Sequence, residues 1–302
     1  MDKRYNDLNS YFRSIFGCRV QKITIDAGFS CPNRDGKIST GGCIFCNTRG
    51  SGTGAHLKGQ SVTEQILAGK RALSKRYKAK KFMVYFQSFT NTYAPLNRLK
   101  SLYEEALAID EIVGLSIGTR PDCENEPILN LIESYAKTHL IWIEYGLQSV
   151  HDRSLTLINR GHDFRCFKDT VEATLNRGIK ICAHVILGLP QERRSHMIET
   201  AKTIAEMGID GIKLHLLYVI KGTKLERLYR EGLYKCLAQR QYVDLVCDFL
   251  ERIPNDMVIQ RLTGDPHLEE LVAPQWSSSK TQTLSMIKET LEKRNSWQGK
   301  FV

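Results

Sequence analysis

Cys43 and Cys46 form a Cys-x2-Cys pair, with Ile44 and Phe45 between them and Gly41-Gly42 before them. Cys31 stands upstream in the same stretch, separated from Cys43 by eleven residues. Thiolates are soft ligands, so three of them on one loop describe a site for zinc or for an iron–sulfur cluster. The neighbouring glycines let the backbone wrap a cluster and aim amides at its sulfides. Two chemistries fit this ligand set. Zinc wants four ligands, and His56 can supply the fourth beside the three thiols. A [4Fe–4S] cluster held by only three thiolates keeps one iron open, and an open iron is a place for reaction.

The loop follows a strand. Residues 22–27 (KITIDA) alternate and are partly β-branched, and the turn-rich stretch from Gly28 to Gly59 carries seven further glycines. A loop of that length in a compact domain is rarely idle. Ser61 or Thr63 can cap the next helix, with Glu64 placed for a capping box. Short apolar strands then recur at 82–87, 112–118, 140–146, 179–188 and 211–219. Helical stretches lie between them at 96–108, 125–136, 164–177 and 195–207. Repeated β–α units predict an α/β fold with a parallel sheet, either a partial TIM-like (β/α)6 barrel or an open doubly wound sheet. A barrel keeps its active site at the C-terminal ends of its strands, where the cysteine loop falls, and that placement favours a catalytic cluster.

Beyond residue 220 the rhythm changes. Helices are predicted at 222–234, 239–252 and 280–294, with a strand at 257–262. Residues 1–220 therefore read as a core barrel with an N-terminal helix and the cluster loop. Residues 221–302 read as a C-terminal helical and strand extension packed on that barrel. The N-terminus lacks the apolar core of a secretory leader, and nine cysteines, an odd count, argue against a disulfide scaffold. No stretch reaches the length of a membrane span. A reducing, cytoplasmic setting is expected. The other six cysteines form no second cluster, so no auxiliary iron–sulfur centre is expected.

The run FSCPNRDGKISTGGCIFCN (29–47) resembles the cluster loop of the radical S-adenosylmethionine (SAM) superfamily. The superfamily's usual spacing is C-x3-C-x2-C. The longer first gap resembles the YhcC/YtqA-like branch, related to the radical domain of the Elongator catalytic subunit and to the oxygen-independent coproporphyrinogen oxidases. The likeness continues through YFQSFTNTYAP (85–95), VGLSIGTRPDC (113–123), EYGLQSVHD (144–152), INRGHDF (158–164) and ILGLP (186–190). It extends through GIKLHLLYVIKGT (211–223), RLTGD (261–265) and the ending SWQGKFV.

This resemblance implies two cofactors, a [4Fe–4S] cluster on Cys31, Cys43 and Cys46, and SAM chelated at the open iron. It also implies an external one-electron donor such as flavodoxin or ferredoxin, and a 5′-deoxyadenosyl radical that abstracts hydrogen from substrate. The residues that match SAM-binding positions are Phe45, Gln87, Ser88, Thr119, Arg120, Glu144, Gln148, Arg160 and His184. A zwitterionic cofactor suits this set, since it wants a carboxylate or amide for its ammonium and an arginine fork for its carboxylate. Glu144 can equally pair with a lysine inside the barrel, and Arg160 can make a surface ion pair. Cys123, Lys213 and His215 are the candidates for catalysis on the substrate side, with Tyr218, Lys221 and the Gly222-Thr223 turn as its cover. A lone cysteine such as Cys123 is most often a packing residue.

The formal net charge is +10, from 43 basic and 33 acidic residues, which attracts polyanions. The segment KRALSKRYKAKK (70–81) carries seven basic residues and no acid. It suits phosphates, or is a solvated helix face. The tail KRNSWQGKFV offers Trp297 and Phe301 for stacking or packing. The YtqA-like branch further resembles the MnmL enzymes of bacterial tRNA modification. That likeness implies conversion of 5-carboxymethylaminomethyl(-2-thio)uridine at the wobble position to 5-aminomethyl(-2-thio)uridine, with tRNA as partner. Two rivals stand beside it, a radical SAM enzyme for a small molecule or peptide, and a non-catalytic zinc- or RNA-binding protein.

Overall fold

The computed structural model describes residues 3–47, 50 and 54–302, so part of the cysteine loop, at 48–49 and 51–53, is outside the described residues. Helix α1 (Leu8–Phe16) leads into strand β1 (Val20–Ile25). After the cysteine loop come α2 (Val62–Tyr77), β2 (Lys81–Phe86), α3 (Leu96–Leu107), β3 (Ile112–Thr119), α4 (Glu126–Ala136) and β4 (Leu140–Gln148). The next units are α5 (Asp152–Leu157), α6 (Phe164–Thr174), β5 (Lys180–Leu187), α7 (Arg194–Ala205) and β6 (Gly211–Leu216). The remainder comprises β7 (Val219–Ile220), α8 (Lys224–Arg230), α9 (Gln239–Leu250), β8 (Val258–Arg261), β9 (Leu271–Ala273) and α10 (Lys280–Lys293). Among the described residues no helix is long and apolar enough to cross a membrane.

Seven strands form one parallel sheet in the order β1-β2-β3-β4-β5-β6-β8. A doubly wound sheet reverses its strand order part-way. Here the order never reverses, and the sheet curls into a half-barrel. The expected six-stranded partial barrel is thus present and gains a seventh strand from the C-terminal extension. The predicted strand at 211–219 is in fact two. It breaks after Leu216, and β7 turns away to pair antiparallel with β9.

Each strand divides its side chains between two faces. Outward residues such as Ile25, Val84, Phe86, Ile117 and Ile143 meet the helices in the main core. Inward residues fill the curl in levels. At its lower end Val20, Met83, Trp142, Cys182 and Val258 pack with Phe12 of α1 into a separate apolar plug. Helix α1 reaches that position because Asp7 caps its start and accepts from the Ser10 amide at 3.0 Å.

The open side of the curl, between β8 and β1, is bridged in two ways. The Ile259 amide donates to the Asn6 carbonyl at 2.8 Å, and the Lys22 ammonium donates to Gln260 Oε1 at 2.6 Å. Outside the sheet, the predicted capping box of α2 forms. The Ser61 amide donates to the Glu64 carboxylate at 2.8 Å and the Glu64 amide to Ser61 Oγ at 3.2 Å.

Replacing Trp142, fully buried in the plug, should leave a cavity that α1 and five strands cannot collapse around. Trp142→Ala is expected to cost about 3–5 kcal/mol, read as a lowered urea midpoint. Trp297→Ala, at a site 46% exposed, should stay within about 0.5 kcal/mol.

Candidate active site at the mouth of the curl

Above the plug lies a polar level built around one carboxylate. Glu144 of β4 is fully buried. Its Oε1 accepts from Lys22 of β1 at 2.8 Å, and its Oε2 accepts from His184 of β5 at 2.8 Å and from Lys213 of β6. Tyr85 of β2 lies beneath the cations, with the Lys213 ammonium 4.0 Å from its ring centre. Burial alone would raise the Glu144 pKa, but the two lysines and His184 outweigh it and hold the carboxyl well below its usual range. Burial pushes Lys213 down to about 7 against the pull of Glu144. Burial likewise takes His184 down to about 4 in spite of its bond to Glu144. His184 is therefore a neutral ring donating Nε2–H to the carboxylate.

Over this level the strand ends and the cysteine loop enclose a cavity of about 340 Å³. Cys31, Cys43, Phe45 and Cys46 line it from the loop. The loop is held by backbone bonds, Gly42 N to Asn33 O at 2.8 Å and Ile44 N to Ile158 O at 3.0 Å. Asn159 clamps it by donating from Nδ2 to the Gly42 carbonyl at 2.8 Å. Three cationic or amide donors point at the thiols. Asn33 Nδ2 and Arg160 Nη1 approach Cys43 Sγ at 3.7 and 3.8 Å, and Arg34 Nη1 approaches Cys46 Sγ at 3.5 Å. Burial pushes the Cys46 thiol up to about 11, with Cys43 adding to the rise and Arg34 opposing it.

The donor set fits an iron–sulfur cluster better than a single ion. Among the described residues no three His, Cys, Asp or Glu side chains converge closely enough to hold one metal ion. A four-iron cube spreads its thiolate ligands more widely than one ion does. His56, the fourth ligand of the zinc alternative, is exposed, packs over Gly28 and does not line the cavity. Buried polar atoms without partners cluster around the same loop and the β2 end, namely Asn33 Oδ1, Ser88 Oγ, Thr90 Oγ1 and Asn91 Oδ1. Native proteins seldom leave such atoms unmet unless a ligand or water serves them.

Two backbone features at the end of β4 shape the cavity wall. A Cβ on Gly146 would meet Arg160 Nη2 at 2.4 Å, so only glycine leaves room for that guanidinium. Arg160 uses the room to donate from Nε and Nη2 to the Gly146 carbonyl at 3.1 and 2.7 Å. Gln148 then adopts φ of 78°, where the β4–β5 register shifts. A non-glycine residue in the left-handed region costs energy, and such strain concentrates at functional sites.

Most of the sequence-predicted residues converge here. Cys31, Cys43, Cys46, Phe45, Gln87, Thr119, Arg120, Glu144, Gln148, Arg160, His184 and His215 all line the cavity, as does Tyr218. Ser88, Cys123 and Lys213 do not. Ser88 is fully buried behind the β2 end. Cys123 sits in the turn after β3, its thiol pushed up to about 12 by burial and by Asp122. Lys213 lies one level down, beneath the cavity floor, because β6 alternation gives that level to it and the mouth to His215.

Several lining groups are already engaged. Arg120 spends Nε and Nη2 on Asp122 at 2.8 and 2.7 Å and Nη1 on the Arg160 carbonyl at 2.8 Å. Thr119 and Thr92 share a hydroxyl bond at 2.6 Å. Arg160 is no surface residue, and Glu144 does pair with lysines inside the barrel. Sequence reasoning missed Arg34, Phe89 and Arg261, which also line the cavity. For Arg34 a signal existed, a cation three residues after the first cluster cysteine. For Arg261 alternation pointed to the wrong face.

A curled parallel β/α sheet with a three-thiol cluster loop over its C-terminal mouth defines an iron–sulfur enzyme built to hold a second, polar cofactor beside the cluster. This chain belongs to the radical SAM superfamily, whose model matches residues 35–204, followed by the Radical_SAM C-terminal domain over residues 209–293. Its cofactors are accordingly a [4Fe–4S] cluster and SAM. The chain is 44% identical over 300 residues to the uncharacterized protein YtqA of Bacillus subtilis, covering 99% of this chain and 93% of that one. It is 38% identical over 266 residues to protein YhcC of Escherichia coli, covering 88% and 85%. Among solved structures, Elp3 of the archaeon Methanocaldococcus infernus superposes with a TM-score of 0.70 at 18% identity, covering 92% of this chain and 64% of that one.

Removing one partner of a buried, hydrogen-bonded charge leaves the others uncompensated. Glu144→Gln is expected to lower stability by about 3–5 kcal/mol, measured by urea unfolding. His184 has a folded pKa near 4 against an ordinary 6.5, so between those values only the unfolded chain takes up the proton. Stability should therefore fall as pH drops from 6.5 toward 4, and Glu144 adds to the loss below 4.5. His184→Gln should flatten this decline in unfolding midpoints recorded across that window.

Proposed function

We propose that this radical SAM enzyme acts on the wobble uridine of tRNA, converting a 5-carboxymethylaminomethyl group, with or without 2-thiolation, to 5-aminomethyl. The observation that carries the reading is likeness to the YtqA branch along 99% of the chain. The motifs of that branch resemble the MnmL enzymes of wobble-uridine modification. The net charge of +10 agrees with a polyanionic partner.

When bound, the cluster and SAM supply the 5′-deoxyadenosyl radical that takes a hydrogen atom from substrate. The protein's part is to hold, orient and keep water out. Cys31, Cys43 and Cys46 ligate the cluster, and Asn33, Arg34 and Arg160 damp the charge on its sulfurs. Phe45 flanks the adenine. Gln87 and Gln148 line the cavity and would offer amides to the methionine end of SAM. Arg120 and Thr119 position their neighbours: Arg120 holds the Arg160 backbone, and Thr119 ties β3 to the loop after β2. Glu144 and His184 form the rigid floor. The reaction would take a hydrogen atom and then one electron from the carboxymethyl carbon, a two-electron oxidation that reductive cleavage of SAM balances. Water would release the two-carbon unit of the resulting imine as glyoxylate, leaving the amine. An external flavodoxin or ferredoxin supplies the electron.

The basic segment 70–81 runs from α2 into the first residue of β2, at the sheet end away from the mouth. Part of its charge is spent locally, since Lys70 pairs with Glu111 at 3.1 Å and the Lys81 ammonium lies 5.5 Å from the Phe16 ring centre. A strand length of roughly 20–25 Å separates it from the mouth. In this reading it meets the body of the tRNA, never the reacting base.

Nucleoside mass spectrometry of a strain lacking the gene tests the substrate. The carboxymethylaminomethyl species should accumulate at the expense of aminomethyl-derived ones, and an unchanged nucleoside profile removes the tRNA reading. Anaerobic reconstitution tests the centre independently. About four irons per chain are expected, and Cys31→Ala should lose both the iron and 5′-deoxyadenosine formation.

A further inference from the structure

Strand β8 enters the sheet with an irregularity. Ile259 is in register with Ile212, but the next register pair is Arg261 with Lys213, so one extra residue is accommodated between them. Val258 faces the plug and Gln260 faces Lys22, both inward. Plain alternation would send Arg261 outward among the helices. The bulge turns it inward instead, and Leu262 returns to the outer core. Bulges next to active sites often re-aim a side chain in this way. Arg261 thus reaches the cavity from a strand that a six-stranded barrel lacks.

Its guanidinium has no hydrogen bond or ion pair among the described residues, though it is only partly exposed. Its charge is felt by His215, Tyr218, His184 and Lys213. Three carboxylates line the same cavity, and each already has a partner, Glu144 in the two lysines, Asp265 in Lys280 and Glu270 in Asn47. His215 adds a second unmet group, because its Nε2 is buried and has no partner. The ring rests against that of His184, with centroids 5.4 Å apart. Burial, then the charge of Arg261, hold the His215 pKa well below 6.5, so the ring is neutral and can donate one N–H.

A buried donor without a partner is costly, and a half-buried guanidinium fork without an acceptor leaves its charge-assisted hydrogen bonds unmade. One ligand group answers both needs, an oxyanion accepting from the arginine fork and from the imidazole. The subsite offers one full positive charge and one neutral donor, which matches a singly charged carboxylate better than a phosphate dianion. The cysteine side of the cavity has its own arginines, Arg34 and Arg160, both within 3.8 Å of cluster thiols. Both are engaged there, Arg160 by the Gly146 carbonyl and Arg34 by the Asn47 carbonyl, so SAM affinity is the control that separates a substrate role for Arg261 from a SAM role.

We propose that Arg261 and His215 form a carboxylate-binding subsite in the substrate half of the cavity, selecting a substrate that carries a carboxylate beside the reacting carbon. The inference rests on the wobble-uridine reading for the identity of that carboxylate, the one on the carboxymethyl group. Arg261 acts there as a specificity determinant, gripping the unit that is lost and ignoring the product that lacks it.

Two measurements on the reconstituted holoenzyme decide it. First, equilibrium dialysis compares 5-carboxymethylaminomethyluridine with 5-aminomethyluridine. The wild-type protein should prefer the carboxylated nucleoside by about tenfold or more. Arg261→Gln should abolish the preference, Arg261→Lys should recover part of it, and SAM affinity should hold in all three. A preference that survives Arg261→Gln, or a loss of SAM affinity in its place, overturns the assignment. Second, phenylglyoxal labelling of Arg261 in the wild-type protein, read by peptide mass spectrometry, should be slowed by acetate. Equal labelling with and without acetate rejects the subsite, and protection by inorganic phosphate alone reassigns it to phosphate and rejects the carboxylate claim. If neither nucleoside binds the wild-type protein, acetate protection judges the subsite by itself, and the nucleoside profile of the deletion strain judges the wobble-uridine reading separately.

Discussion

The buried carboxylate of Glu144 is the constraint around which the half-barrel is organised. A desolvated charge is tolerable only when its partners are complete. Here they come from β1, β5 and β6, and through Lys22 the bond passes on to Gln260 of β8. One side chain therefore ties the first strand to the last across the gap that the sheet leaves open. Apolar packing alone would let that gap slide, because the plug is non-directional. The polar level sets the register of the strands that carry the active-site residues.

The cluster loop depends on the same strands at one remove. Gly146, two residues beyond Glu144, admits the Arg160 guanidinium and supplies the carbonyl that fixes it. Arg160 then points Nη1 at Cys43, while Arg120 holds its backbone and Asn159 clamps Gly42. A turn outside the sheet, brought in by the short helix α5, thereby becomes the second wall of the thiol site. Without metal, burial and then the neighbouring Cys43 raise the pKa of the Cys46 thiol. A bound cluster reverses that shift, since the metal's charge dominates the local balance.

The β–α rhythm, the capping box of α2, the thiol triad and most of the polar strand ends were all legible along the chain. Each depends on local spacing, and local spacing survives folding. Gln87, Gln148 and His184 were found through the family resemblance, whose SAM-binding positions fall in or at the ends of strands that face one mouth. The seventh strand was visible as an apolar run, but its place beside β6 was not. Nothing local distinguishes a strand that joins the sheet from one that packs over it. The break of 211–219 into β6 and β7 was hidden for the same reason, because the partner β9 is only three residues long and some fifty residues away.

The amino-acid sequence by itself determined the cofactor chemistry, but through the resemblance of the whole cysteine loop to the radical SAM superfamily, because the three soft ligands alone suited zinc as well as an iron–sulfur cluster. Only the tertiary structure decided which polar residues are free to act. Glu144, Arg120 and Thr119 turned out to be bound to the chain's own groups, Lys213 to lie below the floor, and Cys123 to stand outside the cavity. Arg261 came inside through a bulge. The physical reason is that a buried polar group's availability depends on whether its partners are already supplied. Those partners sit on strands distant in sequence and meet only when the sheet curls.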